Sequence, residues 1–326
     1  MKLFLSILLA IIASYSVLLI TTLRNIDASF EEKISRDLEA NLRFVRYQLF
    51  TGANQVKYAL LLPASQVKTK EYLLRRDTAG LSGVLRDIKE SLPFLRFAVF
   101  VDSSAKVLAS LNGERNGFPF ELKSLAESAL SKREPVLSCE TASPALFQQA
   151  GDARALSPEK SGDSLLVAAV AIPIIHDTGR VVGSLVSGIP ITKNAVLPYR
   201  LQEAFGSDLH LAFLQRNLKP FHGAGDDFDL PDATVRAILP VLATGSTYRG
   251  EVRIGDTPFK VAFEPIRTVR GDMIGSLSVA LSREYFTRMR KDRFDGILAS
   301  ALFGALFSLI IAYFASRHFA VPLKEL

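Results

Sequence analysis

The sequence predicts an α+β protein in which two transmembrane helices flank a long N-terminal helix and two antiparallel-sheet modules. Three observations carry that reading. Uncharged apolar segments stand near both ends of the chain. A helical period follows the first of them without a break. A two-residue period with glycine-containing turns fills the remainder, and one hairpin pattern occurs twice.

The apolar segments are residues 4–23, FLSILLAIIASYSVLLITTL, and residues 297–315, ILASALFGALFSLIIAYFA. Each is close to the ~20 residues needed to cross a ~30 Å hydrocarbon core, where a helix satisfies its own backbone groups. The first is longer than the ~7–15-residue apolar core of a cleavable signal and runs straight into a charged helical pattern. It is therefore read as an uncleaved span. Lys2, Arg317 and Lys324 place both termini in the cytoplasm. The cluster Arg283, Arg288, Arg290, Lys291 and Arg293 opposes this, but long translocated domains largely ignore the charge bias.

Residues 24–62 read as one helix. Ile26, Phe30, Ile34, Leu38, Leu42, Val45, Leu49 and Val56 recur at steps of mostly three and four, and no proline or glycine intervenes before Gly52. Such a stripe packs against a partner subunit, a sheet, or both. Ile34, Leu38, Leu42 and Val45 are assigned to the seam of a parallel homodimer. Pro63 ends or kinks the helix, since proline lacks the amide donor and clashes with the preceding turn. Helices at 66–75 and 78–91 follow, the second capped by Asp77 or Thr78.

After Pro93 the period becomes two. Residues 94–101 (FLRFAVFV) form a strand, 102–106 a turn and 107–110 the returning strand. A short helix at 120–131, a strand at 135–139 and a polar loop at 141–163 lead to a hairpin. Its strands are 164–175 and 180–189, and it turns at 176–179. The cycle then shortens: a helix at 190–205, a strand at 208–214, a helix at 232–242, and strands at 247–254, 258–266 and 273–282. AIPIIHDTGRVVGSLVSGI and FEPIRTVRGDMIGSLSVAL share their order of strand, proline, glycine turn and Gly-Ser-Leu strand. They imply duplication of one αβ module at a period of about 90 residues.

Composition excludes several functions. With 326 residues and 48% apolar content the chain supports a packed core of one or two domains. A net charge of +6 without a basic run gives no nucleic-acid arm. Cys139 is the only cysteine, so an intramolecular disulfide, a CxxC site and haem attachment are ruled out. HExxH, Walker A and Gly-x-Ser-x-Gly patterns are missing. His176, His210, His222 and His318 lack metal-ligand spacing. Nothing here points to an enzyme, a cofactor or a metal.

The long membrane-proximal helix, the two sheet modules with their Gly-Ser-Leu strands, and the second span together resemble the double Cache (PAS-like) sensor domains of bacterial transmembrane receptors. The resemblance covers residues 24–289 and is most specific at 94–110, 164–189 and 258–282. It implies a membrane-distal Cache module at 63–190 that binds a small extracellular ligand. It also implies a small membrane-proximal Cache module at 191–289 and a location in the bacterial inner membrane. Residues 316–326 resemble the start of a HAMP linker at Pro322-Leu323, so a cytoplasmic output (chemoreceptor, kinase or cyclase) is expected beyond this chain, which reads as a fragment. The amino-acid-binding version of the family uses a tryptophan motif. With no tryptophan present, that ligand loses its support.

Ligand-binding candidates come from strand alternation: Arg96, Phe100, Ser138, Thr141, Ser184 and Ser187. Arg96 could fork onto a carboxylate or phosphate, the serines and threonine could hydrogen-bond a ligand, and the loop 141–163 could close over it. The expected function is a ligand-sensing receptor that signals through the second span. The rival reading is a membrane-anchored adaptor whose outer domain binds a protein.

Overall fold

The computed structural model describes the backbone of residues 2–320 apart from 94, 114–117, 152–163, 192–208, 222–229 and 256; within these bounds side chains are described from residue 31 to 282 and at scattered positions of the two terminal helices. Two units emerge, one formed by residues 38–281 and the other by 1–37 with 282–326.

Helix α1 spans Lys2–Ser65. It passes through Pro63 instead of ending before it, because a proline in the last turn forfeits a single backbone bond. Helices α2 (Val67–Arg75) and α3 (Thr78–Ser91) follow. Asp77 caps α3, its carboxylate accepting from the Gly80 amide at 3.0 Å. The first sheet holds β1 (Phe97–Asp102), β2 (Val107–Ser110), β3 (Val136–Ala142), β4 (Leu165–Ile175) and β5 (Val181–Pro190) in the order β2-β1-β5-β4-β3. Helix α4 (Lys123–Lys132) precedes β3.

The polar segment expected to be loop from 141 behaves otherwise at its start. Strand β3 continues to Ala142, and Pro144–Ala150 forms helix α5. Proline at the first helical position loses only an amide that would have had no partner there. The rest of that segment, 152–163, lies outside the described residues, as does nearly all of the helix expected at 190–205.

The second sheet holds β6 (Leu209–Gln215), β7 (Tyr248–Ile254), β8 (Thr257–Arg267) and β9 (Met273–Ser282) in the order β6-β9-β8-β7, with α6 (Asp232–Ala243) before β7. Matching β6, β9, β8 and β7 to β1, β5, β4 and β3 gives the same strand order without β2. The duplication read from the hairpin sequences is thus a duplication of topology. Both hairpin turns also close alike. The amide of His176 donates to the Arg180 carbonyl and that of Thr268 to the Asp272 carbonyl, with Gly179 and Gly271 at φ +80° and +90°.

The glycine of each Gly-Ser-Leu has a separate cause. A Cβ on Gly183 would stand 2.3 Å from the Val101 carbonyl oxygen, and one on Gly275 would stand 2.2 Å from that of Leu214. The adjacent strand, β1 in one module and β6 in the other, runs too close for any side chain.

Helix α7 spans Arg283–Ala320. Among the described residues no helix is long and apolar enough to cross a membrane. Most side chains of residues 4–23, and several of 297–315, lie outside the described set, as do Pro322 and Leu323 of the linker reading.

Gly183→Ala and Gly275→Ala are each expected to destabilise the protein by about 1–3 kcal/mol, the usual cost of forcing atoms into a filled space. Gly83→Ala, in the middle of α3 with no atom near the added methyl, should be stabilising by up to ~1 kcal/mol. Urea unfolding of the three variants checks both signs.

Candidate functional site

Alternation along β1 sorts the first module into two faces. Phe97, Val99 and Val101 pack with Leu125, Ala126 and Ala129 of α4 and Phe147 of α5. Ala98 and Phe100 pack with Val56, Leu60 and Ala64 of α1, Leu73 of α2, and Leu81, Leu85 and Ile88 of α3. Three helices therefore cover one face of the sheet, and α4 and α5 cover the other. Phe147 fixes the second arrangement by meeting Phe97 edge-on at 5.5 Å.

The six ligand candidates divide between these faces. Opposed residues of paired strands share a face. The registers Val101↔Ser184 and Ser138↔Ala169 place Ser184 and Ser138 on the α4/α5 side. The registers Ala98↔Ser187 and Thr141↔Leu166 place Ser187 and Thr141 on the helix-covered side, with Phe100. The half-buried Arg96 shares the parity of Ala98 and Phe100.

Phe100 is fully buried and fills the core beneath α1–α3. Ser184 and Ser187 are fully buried as well. Their hydroxyls donate to the carbonyls of Ile172 at 3.0 Å and Phe97 at 2.7 Å, so they serve the sheet's own backbone. One pocket cannot contain all six.

On the α4/α5 face the buried polar centre is Glu140, which sequence reasoning missed. Only 8% of it is exposed. Its Oε1 accepts from the Ser138 hydroxyl at 2.7 Å and from the Val269 amide at 3.1 Å. Val269 belongs to the turn between β8 and β9, and its side chain packs against the first module's core. Beside it, Arg270 Nη2 donates to Glu127 Oε2 of α4 at 3.1 Å. The hairpin tip of the second module is thus fastened to the first by a buried carboxylate, an apolar side chain and an exposed ion pair. The available signal was the inward parity of Val136, Ser138, Glu140 and Ala142, which becomes visible only once β3 is carried past Cys139.

Cys139 alternates to the opposite face. Burial, with the neighbouring Glu140 charge adding to it, pushes its thiol up to about 12. A thiol so far above its ordinary range is a core group and not a nucleophile. His176 lies in its turn, where its Nδ1 accepts from the Thr178 amide at 3.3 Å. His210 sits on β6, edge-on to Phe259 at 4.9 Å. His222 lies outside the described residues, as does the side chain of His318. Among the described residues no group of three or more His, Cys, Asp or Glu could hold a metal ion.

In the second module Ser276 and Ser278 share a face with Ala280, Ala212 and Leu214. Both are fully buried and neither hydroxyl has a hydrogen-bond partner. Ser276 stands where Ser184 stands in the first Gly-Ser-Leu, yet it lacks the carbonyl bond that Ser184 makes.

The seam residues of α1 are placed differently from the expectation. Ile34, Leu38, Leu42 and Val45 are 7, 3, 2 and 0% exposed within a single chain. The stripe is thus covered within a single chain.

Residues 230–293 match the family model described as Single cache domain 3. The segment runs from just before α6 into α7 and takes in β7, β8 and β9 but not β6. No curated protein matches the chain. Among solved structures the chain is similar to a methyl-accepting chemotaxis protein X, at 14% identity and a TM-score of 0.49, over 78% of this chain and 99% of that one. It is also similar to the sensor domain of the V. cholerae histidine kinase DctB (11% identity, TM-score 0.44, 76% and 96% of the two chains). A third is the periplasmic domain of Vibrio cholerae LuxQ (14% identity, TM-score 0.43, 76% and 100%).

Alkylation of Cys139 by iodoacetamide at pH 8 is expected to be on the order of a thousandfold slower in the folded protein than in urea. The raised pKa also sets a linkage. Its contribution to stability is full below the unfolded thiol's ~8.5 and is lost as pH rises from there through about 12. In the C139A variant that alkaline loss should shrink, as measured by melting temperature against pH.

Proposed function

We propose that this chain is the sensory part of a bacterial transmembrane receptor. Its two Cache-type modules would lie outside the inner membrane between two spans, with both termini in the cytoplasm. The observation that carries the reading is the Cache match at residues 230–293 on a chain whose other sheet has the same strand order. The resemblance stated for the whole outer segment extends the reading to a double Cache domain with a small extracellular ligand.

Side-chain exposure supports the second span. Within residues 297–315, Leu302 is 63%, Phe303 74%, Phe307 65% and Phe314 64% exposed. Apolar surface on that scale needs a cover, and lipid supplies one at no polar cost because the helix satisfies its own backbone. Residues 4–23 supply the partner span by composition. The linker-like residues 316–326 would pass the signal to a HAMP-linked output, and the receptor would act as a parallel homodimer.

The ligand would meet the α4/α5 face of the first sheet. Glu140 offers a nearly buried carboxylate there, and Ser138 holds that carboxylate in place. The same carboxylate binds the amide of Val269, so a ligand that competes for Glu140 alters the grip on the β8–β9 hairpin. Strand β9 leads in sequence directly into α7. Such a ligand shifts the receptor only by its difference in affinity between the held and released states.

Two outcomes check this. A thermal-shift screen of the outer segment against organic acids, amino acids, amines, purines and sugars should give a saturable rise for one chemical class. A flat screen on a folded domain would transfer the reading to a protein-binding adaptor. For the class that binds, Glu140→Gln should weaken affinity by at least about tenfold, as expected when a charged hydrogen-bond partner worth ~1.5–3 kcal/mol is lost. Arg96→Gln, on the other face, should leave it within about twofold.

A further inference from the structure

We propose that the second module holds a binding site of its own, between α6 and the sheet, for a small uncharged molecule that hydrogen-bonds to the hydroxyls of Ser276 and Ser278. The site goes beyond the receptor reading, which places a ligand on the first module, and does not rest on it.

Strand β9 lies between β6 and β8, so its side chains stand in the middle of the sheet. Three successive positions of β9 on the α6 side are Ser276, Ser278 and Ala280, and the register Ala212↔Ser278 sets another small side chain beside them. Large groups surround these small ones: Leu214 of β6, Phe259 and Phe263 of β8, and Ile238 and Leu242 of α6. Both serines are fully buried, and neither hydroxyl has a partner. Packing alone gives no reason for a hydroxyl here, since burying one unpaired is unfavourable and alanine would fill nearly the same space. The first module shows the alternative. Its equivalent serine, Ser184, turns its hydroxyl onto the Ile172 carbonyl at 3.0 Å. Ser276 holds the same place in its Gly-Ser-Leu and leaves its donor unused.

The chemistry of the guest follows from this setting. Residues two apart on a strand stand roughly 7 Å apart, so one small polar group between the two serines can reach both hydroxyls. Among the described residues, the basic side chains that share this face lie at its margins and are engaged. Exposed Arg267 donates to the carbonyls of Leu242, Ala243 and Gly271. Half-buried His210 lies edge-on to Phe259. An ion brought under α6 would lose its water without gaining an opposite charge. The guest is therefore neutral, with one carbonyl, amide or hydroxyl group on a small apolar body. Arg267 also gives the site a route outward. It ties the end of α6 to the β8–β9 hairpin, whose Val269 and Arg270 fasten to the first module.

The test uses the full chain in lipid nanodiscs, with Cys139→Ala removing the native thiol and Ser278→Cys placing a single one. The probe is methyl methanethiosulfonate, a small uncharged thiol reagent, followed by intact mass. Ala98→Cys, in the closed core beneath α1–α3, is the control and reacts only when the fold opens. Ser278→Cys should react at least about tenfold faster than this control, which marks access without such opening. Sulfonate- and ammonium-bearing methanethiosulfonates should lose that advantage. Butanone and butanamide should slow the neutral reaction saturably, whereas butanoate and butylammonium should not. A rate no faster than the control, equal rates for charged and neutral reagents, or no protection by either neutral probe overturns the site. A folding failure of Ser278→Cys is bypassed by Ser276→Ala with Ser278→Ala in the unaltered chain. Its melting temperature should equal or exceed that of the parent, because the hydroxyls removed had no partner. The saturable rise that butanone or butanamide gives the parent should be lost. A lowered melting temperature without probe, or an undiminished rise with it, also overturns the site. Glu140→Gln should leave the protection at Ser278→Cys unchanged, so failure here and failure of sensing by the first module remain distinguishable.

Discussion

The first module depends on the packing of one helical stripe against one sheet face. Val56, Leu60 and Ala64 of α1 are buried with Ala98 and Phe100 of β1, and Leu73, Leu81, Leu85 and Ile88 complete the layer. Removing this apolar surface from water is the main source of stability for a chain that holds no disulfide. The packing also commits the sheet. With one face closed by three helices, polar chemistry in this module is left to the α4/α5 face. The same contact determines which side of α1 remains for anything else.

That commitment explains what the sequence could and could not show. The period of α1 was legible, and so were the hairpins, because period and turn chemistry are local. The destination of the stripe was not. A sequence of Leu38, Leu42 and Val45 at steps of four and three reads the same whether its cover is a sheet or a second subunit. The pocket candidates divide between two faces for a related reason. Alternation on one strand separates its own two faces but does not relate them to those of another strand until the register is known. Ser184 and Ser187 look alike in sequence and point to opposite sides. The end of β3 was lost because Glu140-Thr141 looks like loop, and with it went the buried carboxylate.

The repeated Gly-Ser-Leu shows one constraint serving two modules differently. In both, the glycine is demanded by the close approach of the neighbouring strand, at Val101 in one and Leu214 in the other. The serine after it carries no such demand. Ser184 bonds the Ile172 carbonyl, whereas Ser276 and its neighbour Ser278 are buried with unpaired hydroxyls. An unpaired buried hydroxyl costs about 1–3 kcal/mol relative to a paired one. The penalty is not confined to the second module, since the hydroxyl of Thr69 on α2 is likewise buried without a partner.

The second module is held to the first at its hairpin tip. The hold is narrow: Val269 on the first module's core, its amide on Glu140, and Arg270 on Glu127. The ion pair is exposed and contributes little, so the grip rests on one apolar side chain and one buried carboxylate. Glu140 is also the polar group that a guest on the α4/α5 face would meet. Under the proposed reading, binding and holding would compete for the same carboxylate. Under the proposed receptor reading the transmitted signal would not need to be a large motion of the sheet. It is enough that a ligand changes how firmly the first module holds the hairpin whose second strand leads in sequence into α7.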